Sequence, residues 1–570
     1  MPLYGRVFTN CSLQLKKGVV TMNNMNKIKK VFRLIASFPQ MIFSIGNKKK
    51  IYTTEKWIIQ SLNMYKFLNK IYPKYQLRHY LYHFSINVKE LIGECPSLQD
   101  DLKKSWMNIF DNSDDEVKMF ITKLIFVSDI IDDNVCKKIM DFAENTANES
   151  YRYWTTMDIS NVTFLTQRGL YTNFYTDRRN LMGKIALESK VSDYKINRDD
   201  GKNILGVIVY HLYPTMQNSL FRVLSMVLNG LNSYYDEIHV FSLDTFYNSE
   251  HDDNITTIAR YGDIYSKNYS KKIADELGKN IIIHYVISDN YKKRNEIFIS
   301  QLFEVNPSTI IDLSDEFSPL SYVYSKYFPT FYIPLRVGIS SSFYNYLIGQ
   351  KWKIEKMNNI FHCTNMNSVI EWSFPEYVPK MTGEYTRNEI GIQPNSFVIV
   401  TVAYCSKVVD QDFMDNFARL LTENENFVWI IISDKAPEYM HQKYEYLFSN
   451  NRIIEREYEK NLFAFYKICD VILRTDVTGG SGATAIAAMA GLPIVMTNYV
   501  CDPMRWLGFD YSNISSSKEI CEEIFNLYSD KDYYNIKKER CKLLVSDAIN
   551  ADKKWRKLAN ILIEKSLNYE

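Results

Sequence analysis

The stretch TDVTGGSGATAIAAMAGLPIVM, from Thr475 to Met496, decides how the chain is read. A short apolar run, Val471 to Leu473, comes just before it and reads as a buried strand. Gly479, Gly480, Ser481 and Gly482 supply a turn. ATAIAAMA is small and helix-forming, and Gly491 and Pro493 stop a helix. A second apolar strand, Ile494 to Met496, follows at once. The order is therefore strand, glycine turn, closely packed helix, strand. Such a turn leaves backbone N–H groups unpaired at a helix N-terminus, where the dipole favours an anion. We read it as a diphosphate cradle; a ligand-free glycine turn of an α/β protein has the same spacing.

Upstream of it, strands and helices alternate. SFVIVTVAY, FVWIIIS and NRIIEREY read as strands, and DQDFMDNFARLLTEN, APEYMHQKYEYLFS and EKNLFAFYKI as the helices between them. An earlier set begins at Asn203: NILGVIVYHLYP, EIHVFSL, IIIHYVI and STIIDLS as strands, SLFRVLSMVLNGL and KRNEIFISQLFEV as helices. Apolar strands alternating with helices imply parallel sheets covered on both faces. EWSFPEYVPKMTGEYTRNEI is less regular and reads as the connection between the two sets. The end of the chain reads as two helices, SSKEICEEIFNLYS and KKWRKLANILIEK.

From Glu55 to about Asn148 the pattern is helical, with Ser97 and Asp114 as expected N-caps. Residues 151–200 show no clean period. The run from Lys27 to Phe43 mixes basic and apolar residues, as a helix packed on its own domain or lying on anionic lipid would. The expected organisation is an extension over 1–50, a helical domain and linker over 51–200, and Rossmann-like domains over 201–375 and 376–570.

Composition removes several classes of function. The 570 residues carry 68 Lys plus Arg against 66 Asp plus Glu, a formal charge of +2, so no basic field points to nucleic acid. The nine cysteines are scattered and form no CxxC pair, which fits reduced thiols in the cytoplasm. The eight histidines show no metal spacing; His79 and His83 lie four apart on one expected helix without a third ligand. No apolar run is long enough to span a membrane.

Two doubly wound units in tandem resemble a GT-B glycosyltransferase. FVIVTVAYCSK is similar to the first strand of that fold's donor domain, and CDVILRTDVTGGSGATAIAAMAGLPIVM to its glycine turn and diphosphate helix. The helical front is similar to that of the cytoplasmic protein glycosyltransferases, both the O-GlcNAc type and the adhesin-modifying N-glycosyltransferases. The chain departs from the patterns of the commonest retaining GT-B enzymes and of the O-GlcNAc type. Thr478 and Ile486 stand where the commonest retaining enzymes place two glutamates. Ser481, Gly482 and Ala483 replace the His-Thr-Thr run of the O-GlcNAc type.

The resemblance implies a transferase that moves a sugar from a nucleotide sugar, a UDP-sugar by expectation, to a protein or glycan acceptor. No cofactor or metal is expected, and the outcome is expected to be inverting. Gly480, Ser481, Gly482, Ala483 and Thr484 would hold the donor diphosphate, with Lys407 as a point charge from the first donor-domain strand. His211, directly after the first strand of the other half, is the expected base for the acceptor. Gln217, Asn218 and Asp502 are candidates for the sugar or acceptor. Asp410 and Asp412 form a DxD that reads as charge at a helix start, not as a metal site. Two other readings share the fold: a sugar-nucleotide epimerase, and a catalytically degenerate chain that partners a second glycosyltransferase subunit.

Overall fold

The computed structural model describes residues 97–128, 130–166, 174–188, 201–210, 212, 219–243, 281–286, 291–314, 318–334, 343–351, 354–355, 368–376, 378, 383–402, 411–432, 436, 438–457, 459, 461–474, 481–498, 503–508 and 510–569, besides positions 58, 59, 61–63, 88 and 92. The expected segment Lys27–Phe43 and the pair His79 and His83 lie outside the described residues. Among those described, no helix is long and apolar enough to cross a membrane.

The chain divides into two compact units. The first takes residues up to Arg222, with Glu237–Phe328 and Ser340–Tyr344; the second takes Val223–Asp236, Pro329–Ile339 and everything from Asn345.

The first unit opens with helices α1 (Leu98–Asp111), α2 (Asp115–Ser128), α3 (Asp133–Asn145), α4 (Glu149–Thr166) and α5 (Phe174–Glu188). Asp114 accepts from Val117 N–H at 2.9 Å, as a cap should, and Asp132 does the same for Val135 at 2.9 Å. Ser97 does not cap: its backbone is already helical and its side chain makes no cap bond. Residues 151–200 show no clean period in the sequence, yet α4 and α5 occupy much of that stretch. In α4 the period is hidden by burial on several faces. Arg152, Tyr153, Trp154, Thr155, Thr156, Met157 and Asp158 are consecutive and all buried, so no polar stripe marks the helical period. Inside this bundle the Lys123 ammonium pairs with the Asp158 carboxylate, joining α2 to α4. Burial pushes Lys123 below its ordinary value even though Asp158 opposes the shift.

The same unit then carries β1 (Ile204–Val209), β2 (Glu237–Ser242), β3 (Ile281–Tyr285) and β4 (Thr309–Leu313), interleaved with α6 (Ser219–Leu231, which continues into the second unit) and α7 (Tyr291–Val305). The strands are parallel, in the order β3-β2-β1-β4. Ile208, Phe241, Phe298, Ile299, Leu302 and Ile310 pack together as one core.

The second unit holds a parallel run of β5 (Thr330–Tyr332), β6 (Tyr346–Gly349) and β7 (Val369–Glu371). Its larger sheet is built from β8 (Phe397–Val402), β9 (Phe427–Ile432), β10 (Ile453–Arg456), β11 (Val471–Arg474) and β12 (Ile494–Met496). These five strands are parallel, in the order β10-β9-β8-β11-β12. One face packs on α8 (Gln411–Glu423) and α9 (Ser517–Ser529) through Phe413, Phe417, Trp429, Ile431 and Ile524. The other packs on the helix of the glycine stretch through Ala485, Ala487 and Ala488. Small side chains let that helix lie close to the sheet.

Two helices differ from expectation in this unit. APEYMHQKYEYLFS is broken into Glu438–Lys443 and Glu445–Ser449, with non-helical backbone at Tyr444. A further long helix, Lys531–Ala548, stands between the two expected at the C-terminus, Ser517–Ser529 and Ala551–Leu567. It was hidden because its residues alternate charge and apolarity with little segregation; Ile536 and Leu543 are exposed.

Candidate functional site

The order β10-β9-β8-β11-β12 reverses direction between β8 and β11, and open parallel sheets bind ligands outside the carboxyl ends of the strands at such a switch point. The two strand ends are tied together there: Thr401 Oγ1 donates to Leu473 O at 3.1 Å, and Trp429 Nε1 donates to Thr401 Oγ1 at 3.0 Å. β11 ends in Arg474, which is 8% exposed. The glycine-stretch helix then runs over Ser481–Ala490. Gly491, at φ +90°, ends it in the left-handed region, where glycine carries no Cβ penalty. Gly491 N–H bonds to Ala488 O at 3.0 Å and Leu492 N–H to Ala487 O at 3.0 Å, as expected for this stop.

The first turn of that helix has a buried side and a partly open side. Ser481 and Thr484 are buried, while Gly482 and Ala483 are half-buried. Arg474 Nη1 donates to Thr484 Oγ1 at 3.3 Å. A buried guanidinium therefore lies beside the end of a helix that is itself positive. Tyr466, fully buried on the neighbouring short helix Leu462–Tyr466, is pushed upward chiefly by burial, and the Arg474 charge works against that shift.

Ser481 is differently engaged. Its hydroxyl donates to Glu376 Oε1 at 2.8 Å and accepts from Trp506 Nε1 at 3.0 Å. Trp506 belongs to the short helix Met504–Leu507 and Glu376 to the segment after β7. The hydroxyl proton is thus committed to a carboxylate, and the serine fixes the first turn.

Of the expected site residues, Ser481, Gly482, Ala483 and Thr484 come together on this one turn. Lys407, Gly480, Asp502, His211, Gln217 and Asn218 lie outside the described residues, as does Thr478. Ile486 is a core side chain, 9% exposed. Asp412 stands in the first turn of its helix and accepts from Ser517 Oγ at 2.9 Å, in keeping with charge at a helix start; Asp410 is outside the described residues.

Three residues at the site escaped the sequence reading. Arg474 carried a signal, since a cation closing the apolar run VILR just before a glycine turn is unusual for a buried strand. Glu376 and Trp506 carried none, being 105 and 25 residues from the serine they hold.

In the first unit the corresponding reversal lies between β1 and β4. There Asp312, fully buried, accepts from Ser314 N–H at 2.8 Å, Ser314 Oγ at 2.6 Å and Tyr324 OH at 2.7 Å. These bonds fold the chain after β4 back on itself, a structural use of the carboxylate.

No family model and no curated protein sequence matches the chain. Solved structures do. A point mutant of the O-GlcNAc transferase of Thermobaculum terrenum is similar over 95% of this chain and 98% of its own, with 12% identity and a TM-score of 0.50. A glycosyltransferase of Rickettsia africae is similar over 65% of this chain and 100% of its own, at 11% identity and a TM-score of 0.47. HepE of Anabaena, solved in complex with UDP-glucose, is similar over 64% of this chain and 100% of its own, at 11% identity and a TM-score of 0.43. The first establishes the fold and nothing finer: the chain has the fold of the GT-B glycosyltransferases, as the tandem α/β pattern led us to expect.

Proposed function

We propose that the protein is a glycosyltransferase that binds a nucleotide sugar, a UDP-sugar in our reading, and passes the sugar to a protein or glycan acceptor. One observation carries the proposal. A buried guanidinium, Arg474, lies beside the first turn of the Ser481–Ala490 helix at a sheet's switch point. Two positive features at one place favour a bound anion, and a diphosphate supplies one.

The chemistry follows from where charge develops. An acceptor hydroxyl or amide attacks the anomeric carbon as the bond from that carbon to the diphosphate oxygen breaks. The electron pair of that bond leaves with the nucleoside diphosphate. The N–H groups of Gly482 and Ala483, the Thr484 hydroxyl and Arg474 would meet the growing charge. Lys407 would add a second cation and Gly480 a further N–H group. The acceptor proton would pass to His211, and Gln217, Asn218 and Asp502 remain our choices for the sugar and acceptor. Ser481 enters this scheme as the residue that fixes the turn. In this reading the reaction inverts the anomeric centre, needs no metal because the cradle meets the charge, and takes place in the cytoplasm. The boundaries 1–50, 51–200, 201–375 and 376–570 remain our proposal for the domains.

A second reading has its own support. Ile486 is packed in the core, so that helix position supplies no carboxylate. This favours a chain that retains the nucleotide site and serves as the partner of another transferase. Incubation of the full chain with a panel of nucleotide sugars separates the two. Release of free nucleotide diphosphate from one donor supports the enzyme. Binding without any turnover, with or without acceptors, sinks the catalytic claim and supports the partner.

A further inference from the structure

Glu376 is 5% exposed, and its position is fixed from several directions. Its backbone N–H donates to Ala548 O at 2.9 Å. The residues just before it are pinned as well: Trp372 Nε1 donates to Lys554 O at 3.0 Å, and Trp372, Phe374 and Trp555 pack ring against ring. The carboxylate itself accepts from Ser481, the first residue of the glycine-stretch helix, and Trp506 holds the same hydroxyl from its other side. All of these residues belong to the second unit.

A carboxylate is therefore held one hydroxyl away from a helix N-terminus. In the absence of ligand that placement is favourable, because the negative group sits near the positive end of the dipole. A bound diphosphate would use the same helix end. Two anions then share one dipole, and their mutual repulsion subtracts from the affinity.

We propose that Glu376 is an affinity-setting residue: a built-in negative charge that weakens the hold of the Ser481–Ala490 helix on the nucleotide diphosphate, so that the leaving group is released after transfer. The proposal rests on the cradle reading given above. It assigns Glu376 a role opposite to that of an ordinary supporting residue, because removing its charge tightens binding. Arg474 and Glu376 then act on one turn with opposite signs, the first raising affinity for the diphosphate and the second lowering it.

The test is calorimetric titration of UDP into the full chain and into E376Q, E376A and E376D. E376Q keeps an acceptor for Ser481 and loses the charge, so it should bind UDP roughly tenfold more tightly. E376A should also gain affinity, by less, because the serine is no longer held; it carries the test should E376Q fail to fold. E376D keeps the charge and should follow the parent. A residue that merely supports the turn behaves otherwise: E376A weakens and E376Q matches the parent, which overturns the proposal while leaving the cradle intact. No binding by the parent or by any variant overturns the cradle and this proposal together.

Discussion

Arg474 Nη1 lies 3.3 Å from Thr484 Oγ1, so the last residue of a buried strand is joined to the first turn of the next described helix. This contact puts a buried cation at the helix end, one that the sequence reading of backbone N–H groups and Lys407 did not include. It leads to the first prediction. R474M, which keeps bulk and removes the charge, should lower UDP affinity by about 10- to 100-fold, the range of a charge-assisted hydrogen bond worth about 1.5–3 kcal/mol. R474K should recover part of it. Calorimetry checks both, and a parental melting temperature in R474M keeps the result from being a folding defect.

The helical bundle should respond to its buried ion pair in a characteristic way. D158A strands the Lys123 ammonium in a site with no exposure and should cost about 3–5 kcal/mol. The double change K123M/D158L removes both charges and should be much less costly than either single loss. Urea unfolding of D158A, K123M and the double variant measures this. A double variant as unstable as the single ones would show that the pair does more than neutralise itself.

Gly230 predicts a steric failure. A Cβ there would fall 2.2 Å from the Trp555 ring, which is packed against Trp372 and Phe374. The ring cannot retreat without opening that cluster. G230A should lose more than about 2 kcal/mol, even though alanine is the better helix former. Thermal melting of G230A with W555L beside it tests the cause: the smaller partner should restore part of the loss.

The pair of stacked histidines on β2 and β3 sets a pH dependence. His239 Nδ1 and His284 Nε2 are 2.9 Å apart, Phe241 stacks on His284, and Glu237, itself paired with Lys202, reaches His239 Nε2 at 3.3 Å. Burial, helped by His239, pushes His284 down to about 4. The unfolded chain, with a histidine near 6.5, takes up that proton first. Stability from this site is therefore full above about pH 6.5 and is lost as pH falls toward 4. H284F keeps the stack and removes the titration, so its melting temperature should fall less than the parent's between pH 7 and 4. Parallel declines would remove His284 from the explanation.

Much of the architecture was legible because parallel strands buried on both faces are written as unbroken apolar runs. ILGVIV, FVWIII and VILR each stand in the structure where their hydrophobicity put them. The stop at Gly491 was legible for a local reason, since a positive φ selects glycine. The helices over 151–188 were not, because 152–158 is buried without a break and the later helix buries Arg178 while exposing Leu187, so hydrophobicity does not follow the period. At the site, a helix opening around Ser481–Thr484 was visible in the glycines and small residues of the sequence. What Ser481 does with its hydroxyl was not, since Glu376 and Trp506 reach it only through the fold.

The central claim is that the first turn of the Ser481–Ala490 helix holds a nucleotide diphosphate, and titrating UDP into the parent and into G482D tests it most directly. Aspartate in a first turn favours the helix, so the variant should fold, and its charge should repel the ligand. The parent should bind saturably, and G482D should lose about 100-fold or more in affinity. Equal affinities in the two proteins, or no binding by the parent, would contradict it.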